Sequence, residues 1–136
     1  MEEMILEKDL LSISKKNVEA YLQTHDVKYC TEDAEYTHLS TGDKYKGREE
    51  IAGMLQYIYH VAFDARAEIT NVVVTEDKAM FEANFVGKHI GEFAGMAPTN
   101  KEINVPICVT YDLEDGLIKK ARIYMLTDVL MKQLQG

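Results

Sequence analysis

Five side chains of this 136-residue chain suit acid/base chemistry by type and position: His38, His89, Arg122, Tyr124 and Asp128. An imidazole titrates near pH 6.5, so it can take an acidic α-proton and return it without large tuning. His38 closes the alternating stretch DAEYTHL (33–39), in which Ala34, Tyr36 and His38 share one face. His89 stands where a strand meets the glycine-punctuated run GKHIGEFAGMAPTNK (87–101). Each is read either as a proton-transfer group or as a hydrogen-bonded structural histidine. On the last strand, strict alternation puts Ile118, Lys120, Arg122, Tyr124 and Leu126 on one face, taken here as the inner one. Arg122 then needs an ionic partner, either Glu82 or Asp112 across the sheet or an anionic group on a ligand. Tyr124 either donates to a developing oxyanion or fills the core. Asp128 either caps the last helix or turns inward as an acid.

Those residues require a scaffold, and the hydrophobic periodicity supplies one. Residues 4 to 29 show three-to-four spacing through Ile5, Leu6, Leu10, Leu11, Val18, Tyr21 and Leu22. Ser12, Ser14 and Asn17 suggest a break into two short helices. STGDKYKG (40–47) reads as a loop. GREEIAGMLQYIYHVAF (47–63) reads as a helix with Glu49 and Glu50 in its first turn and a stripe of Ile51, Met54, Leu55 and Ile58. Strands follow over 67–75, 79–88, 102–113 and 117–127, the last two joined by the hairpin signal Glu114-Asp115-Gly116, and a short helix covers 129–135. This order indicates a single α+β domain over residues 1–136, a curved, mostly antiparallel sheet around helices with an internal cavity. Met54, Met80, Met96, Met125, Tyr57 and Tyr59 suit the walls of such a cavity or ordinary core filling. His25 and His60 fall in helical stretches and are expected to be exposed.

The chain carries 15 basic against 23 acidic residues, a formal charge of −8, which argues against a nucleic-acid or anionic-membrane partner. No apolar run approaches the roughly 20 residues that span a bilayer, and the acidic N-terminal MEEMILEKDLL does not read as a secretory signal, so a cytoplasmic location is expected. Cys30 and Cys108 make no disulfide framework and are expected to be free, buried thiols. Two separate histidines without a Cys/His/Asp cluster make no metal set.

Four pieces in order, GREEI (47–51), GKHIGEFAGMAPTNK (87–101), DGLI (115–118) and LMKQL (130–134), resemble the SnoaL-like polyketide cyclases of the NTF2-like superfamily, over about residues 17 to 135. The resemblance implies a cone-shaped α+β barrel enclosing a hydrophobic cavity, homodimerisation through the outer sheet face, and ring closure by an intramolecular aldol reaction without metal or organic cofactor. The implied ligand is a small, apolar, carbonyl-bearing molecule, polyketide- or steroid-like, lined by Tyr36, Met54, Tyr57, Phe85, Phe93, Met96 and Leu126. The cyclases place a Trp six residues and a catalytic Asp ten residues after the hairpin Gly; those positions here hold Arg122 and Leu126. The chain is also similar to ketosteroid isomerases, whose general base falls on His38 and whose buried acid falls near Cys108. The two expectations are therefore a cyclase/isomerase, with His38 as base, Arg122 and Tyr124 on the enolate and His89 assisting, or a ligand-binding or dimerisation module that has lost the acid. An epoxide-hydrolase reading needs an Asp beside an Arg on one strand, and Arg122 has no such neighbour.

Overall fold

A computed structural model describes the backbone of residues 2–136 and the side chains of residues 9–136. Ile5 and Leu6, the first members of the expected stripe, lie outside the described side chains. The N-terminal segment is one helix, α1 (Glu2–Thr24), rather than two. The weak helix formers that suggested a break act as tethers instead. The Ser14 hydroxyl donates to the carbonyl of Glu76 at 2.9 Å, and the Asn17 amide to that of Gly116 at 2.9 Å. α1 thereby grips the turns of the two hairpins that follow, at Glu76 and Gly116, and it buries Val18 and Tyr21.

After a 3-10 turn (Val27–Tyr29) come β1 (Cys30–His38) and β2 (Asp43–Lys46), an edge strand inside the stretch expected to be loop. Then α2 (Gly47–Gln56) runs on into a π-helical turn (Tyr57–Val61). β3 (Phe63–Val74), β4 (Lys78–His89), β5 (Glu102–Glu114), β6 (Leu117–Met125) and α3 (Thr127–Gln135) complete the chain. One unclosed sheet holds the strands in the order β2-β1-β6-β5-β4-β3; every pairing is antiparallel except β1 with β6. The architecture is α+β, with a curved mixed sheet on which the helices pack.

β4 and β5 alternate cleanly, odd-numbered residues from Ala79 to Phe85 and from Ile103 to Leu113 facing the core. β6 does not. Leu113 pairs with Ile118 but Asp112 pairs with Lys120, so Lys119 is one residue too many. Such a bulge flips the side chains beyond it to the other face. Ile118 is buried before it; Ala121 is buried after it, with Ile123 and Met125 on the same side. The expected inward set of Lys120, Arg122, Tyr124 and Leu126 therefore lies on the outer side or beyond the strand, Tyr124 and Leu126 being 47% and 54% exposed. β1 is irregular against the same strand, its Cys30 and Glu35 pairing with Ile118 and Lys120. The Arg48 guanidinium clamps this stretch by donating twice to the Cys30 carbonyl, at 2.9 and 2.7 Å.

Leu130 and Leu134 bury α3 against the sheet, while Leu126 sits just before that helix with its side chain in water. Leu130→Ala is expected to lower unfolding free energy by about 2–5 kcal/mol in urea titrations. Leu126→Ala, in the same assay, is expected to change it by less than about 0.5 kcal/mol.

Candidate functional site

Between α1, α2 and the inner sheet face lies a cavity of about 220 Å³. β1 brings Tyr36 and His38 to it, α2 brings Met54, and the π turn brings Tyr57 and Tyr59. β4 contributes Phe85, and the loop after β4 contributes Phe93. Past the bulge, Ile123, Met125 and Thr127 complete the wall on the side of β6.

The loop between β4 and β5 is fixed rather than loose. The amides of Ile90 and Gly91 both donate to the Ala62 carbonyl at 3.0 Å, and the Tyr57 hydroxyl donates to the carbonyl of Glu92. A side chain at Gly91 would collide with the Val61 carbonyl, which explains glycine there. Phe93 and Met96 bond each other's backbones around Ala94 and Gly95, both at positive φ (50° and 78°). This tight tip presents Phe93 and Ala94 to the cavity, whereas Met96 packs on the core outside its lining.

His38 is half-buried, and its Nδ1 has no hydrogen-bond partner among the described residues. Burial pulls its pKa below the ordinary imidazole value, while the charge of Asp43, its register partner on β2, pulls the other way and loses. The result is a neutral imidazole at pH 7, able to accept a proton. Asp43 is the one carboxylate among the described lining residues, and no Lys or Arg is among them.

Several contributors escaped the sequence reading, Tyr21 and His25 among them. Tyr21 of α1 lines the cavity with its hydroxyl buried, accepting a 2.6 Å hydrogen bond from the Tyr36 hydroxyl. Burial drives both phenols far up, so both stay protonated. Having accepted from Tyr36, the Tyr21 O–H has no acceptor of its own among the described residues. An α-helical Tyr at core spacing gives no sign of this in sequence. His25 was expected to be exposed on a helix. It follows the last residue of α1 in a left-handed conformation (φ 54°), with its ring 4.5 Å from that of Tyr59, and it too lines the cavity. Burial and the nearby His60 lower its pKa. His60 itself is exposed.

The remaining candidates lie elsewhere. His89 is fully buried beside Phe63 and accepts the Thr99 amide on Nδ1 at 3.2 Å, which pins the base of the loop, and it is absent from the lining. Arg122 reaches across the outer face to Asp112, with 3.3 and 2.8 Å contacts, so the cross-strand carboxylate is its partner. Lys78 joins Asp112 at 2.8 Å. Asp128 is exposed in the first turn of α3 and caps nothing, since the helix starts at Thr127. Cys30 is buried 3.7 Å from the Tyr36 hydroxyl, but Cys108 is only half-buried on the outer-facing side of β5. Met80 is likewise absent from the cavity wall.

The Asp112 cluster sets a pH dependence of stability. Hydrogen bonds from Arg122 and Lys78 hold its carboxyl at about 2, below the ordinary 3.8. A carboxylate with a depressed folded-state pKa contributes stability above its unfolded pKa and loses it as pH falls through the folded one. Arg122→Gln is expected to cost about 1 kcal/mol at pH 7, allowing for solvent screening, and the deficit should shrink between about pH 4 and pH 2. Denaturant titrations across that range check it.

Similarity to known proteins agrees with this geometry. The model of the SnoaL-like polyketide cyclase family matches residues 18–134. No curated protein matches the sequence. Among solved structures, a protein from Jannaschia sp. CCS1 assigned to the SnoaL-like polyketide cyclases aligns with a TM-score of 0.80 at 17% identity, covering 93% of this chain and 94% of that one. A phenazine biosynthesis-related protein from Pseudomonas aeruginosa gives 0.78 at 18% identity, over 97% and 91%. TsrD from Streptomyces laurentii gives 0.74 at 20% identity, over 90% and 95%. At such identities the structural likeness concerns the fold, the NTF2-like one. The match to the family model spans most of the sequence, and the chain belongs to the SnoaL-like polyketide cyclase family.

Proposed function

We propose that this protein is a cofactor-independent acid/base enzyme of the cyclase/isomerase kind, acting on a small aromatic or polyketide-like ketone held in the cavity. The observation that carries the reading is a pairing within one apolar cavity. A neutral imidazole, His38, and a phenol, Tyr21, whose hydroxyl accepts from Tyr36 and keeps its own proton, both line its wall. His38 takes the α-proton of the bound ketone. The electrons of that C–H bond become the enolate, whose oxygen accepts the Tyr21 hydrogen bond, strengthened by the bond that Tyr36 donates to Tyr21. The imidazolium then returns the proton to a different carbon of a conjugated enolate, shifting the double bond, or the α-carbon attacks a second carbonyl, whose alkoxide takes the proton from the imidazolium. Either course returns His38 to its neutral form. Tyr21 thus replaces Arg122 and Tyr124, whose outer-face positions remove them from the role first expected. The outer face that carries them is where we infer that two copies of the chain pair.

A second reading is a binding module without catalysis. It is favoured by the end of β6, where the residues beside Leu126 that line the cavity are Met125 and Thr127, neither a carboxylate.

Exchange of the α-protons of α-tetralone in deuterated buffer, followed by NMR, separates the two readings. The enzyme is expected to accelerate exchange, with His38→Ala lowering the rate by roughly 10²-fold or more and Tyr21→Phe by a similar factor. Because the neutral imidazole is the active form, kcat/KM should rise with pH through a midpoint below about 6.5 and then level. Asp43→Asn should move that midpoint lower, since it removes the charge that raises the His38 pKa. Binding of tetralone without acceleration over buffer would establish the module reading.

A further inference from the structure

The charge pattern around the cavity bears on which ligands it admits, a question that rests on the cavity being the ligand site. β2 alternates, and its two faces carry opposite charge. Lys44 and Lys46 turn to Glu35, at 3.4 and 4.0 Å, whereas Asp43 and Tyr45 line the cavity. The Asp43 carboxylate accepts the Thr41 hydroxyl at 2.9 Å and has no cationic partner among the described residues, although two lysines lie within three positions of it. The other titratable lining groups are phenols and the imidazoles of His25 and His38, and burial lowers the pKa of both imidazoles, which leaves them uncharged at pH 7. Asp43 is exposed, which places this charge at the rim, and burial raises the Tyr45 phenol with the Asp43 charge and Tyr57 adding to it. A negative rim beside the rings of Tyr45 and Tyr57 suits a cation, which gains from both the carboxylate and the π faces. An anion there meets an uncompensated like charge on a protein of formal charge −8.

We propose that the cavity selects aromatic ligands bearing a protonated amine, the ring seated among the inner aromatic walls and the ammonium at the rim against Asp43, and that it rejects aromatic carboxylates.

Naphthylmethylamine, naphthylmethanol and naphthoate share a ring system and differ in charge, and their affinities at pH 7 can be compared by calorimetry. The amine is expected to bind roughly five-fold tighter than the alcohol, a gain typical of one partly solvated ion pair, and naphthoate is expected to bind weakest. Asp43→Asn should erase the amine's advantage while leaving the alcohol's affinity in place, and added salt should erode the advantage in the unaltered protein. Equal affinity for amine and alcohol, or an advantage that survives Asp43→Asn, overturns the charge selection and leaves the cavity as a ligand site. Failure of all three probes to bind the unaltered protein, or binding that Ile123→Ala and His38→Ala leave unchanged, overturns both the selection and the site.

Discussion

One surplus residue in β6 decides which chemistry the cavity can hold. With Lys119 squeezed out between the Leu113–Ile118 and Asp112–Lys120 pairs, the strand beyond presents Ala121, Ile123 and Met125 inward and sends Arg122 to the other face. Without that bulge a guanidinium would be pressed into an apolar cavity, at a desolvation cost that only a buried counter-charge could offset. With it, the charge sits beside Asp112 in partial contact with water, and the cavity stays apolar along that wall. The low polarity that results is what holds the His38 imidazole neutral and the Tyr21 and Tyr36 phenols protonated.

Much of the scaffold was legible because periodicity is a strong signal where it is long. The strands of the second half, their hairpin at Asp115-Gly116, the helix opened by GREEI and the shared face of Ala34, Tyr36 and His38 all follow from alternation, turn residues or first-turn acids. The bulge was not legible. Lys119 and Lys120 are both polar, so the pattern Leu-Ile-Lys-Lys-Ala-Arg-Ile-Tyr-Met fits either parity until the pairing is known. Ser14 and Asn17 misled for a related reason: their low helix propensity is real, but their side chains bond to Glu76 and Gly116, which are distant in sequence.

The candidate site was half legible for the same physical reason. His38 declared itself by type and strand position. Tyr21 did not, because a buried Tyr on a helix face is ordinary core until its hydroxyl is seen to accept from Tyr36 and keep its own proton free. His25 looked exposed because it was counted into a helix that in fact ends one residue earlier, and the left-handed turn there swings the ring over Tyr59. Asp43 was hidden in a stretch that reads as loop; pairing with β1 makes it an edge strand and brings its carboxylate to the cavity.

The tethers from α1 have a consequence for the order in which the chain can mature. Ser14 bonds a carbonyl 62 residues away and Asn17 one 99 residues away, and β1 has its long parallel neighbour in β6. During synthesis the first helix and strand emerge early, and until the later strands exist β1 can dock only on β2 and on α2, whose Arg48 holds the Cys30 carbonyl. Tyr21 and Tyr36 can meet against Tyr111 only once β5 is made, and β1 gains its parallel neighbour only with β6. Such a topology defers cooperative closure until β6 is made, when contacts of long sequence separation form together. A chain halted before residue 117 therefore leaves β1 without its long parallel neighbour.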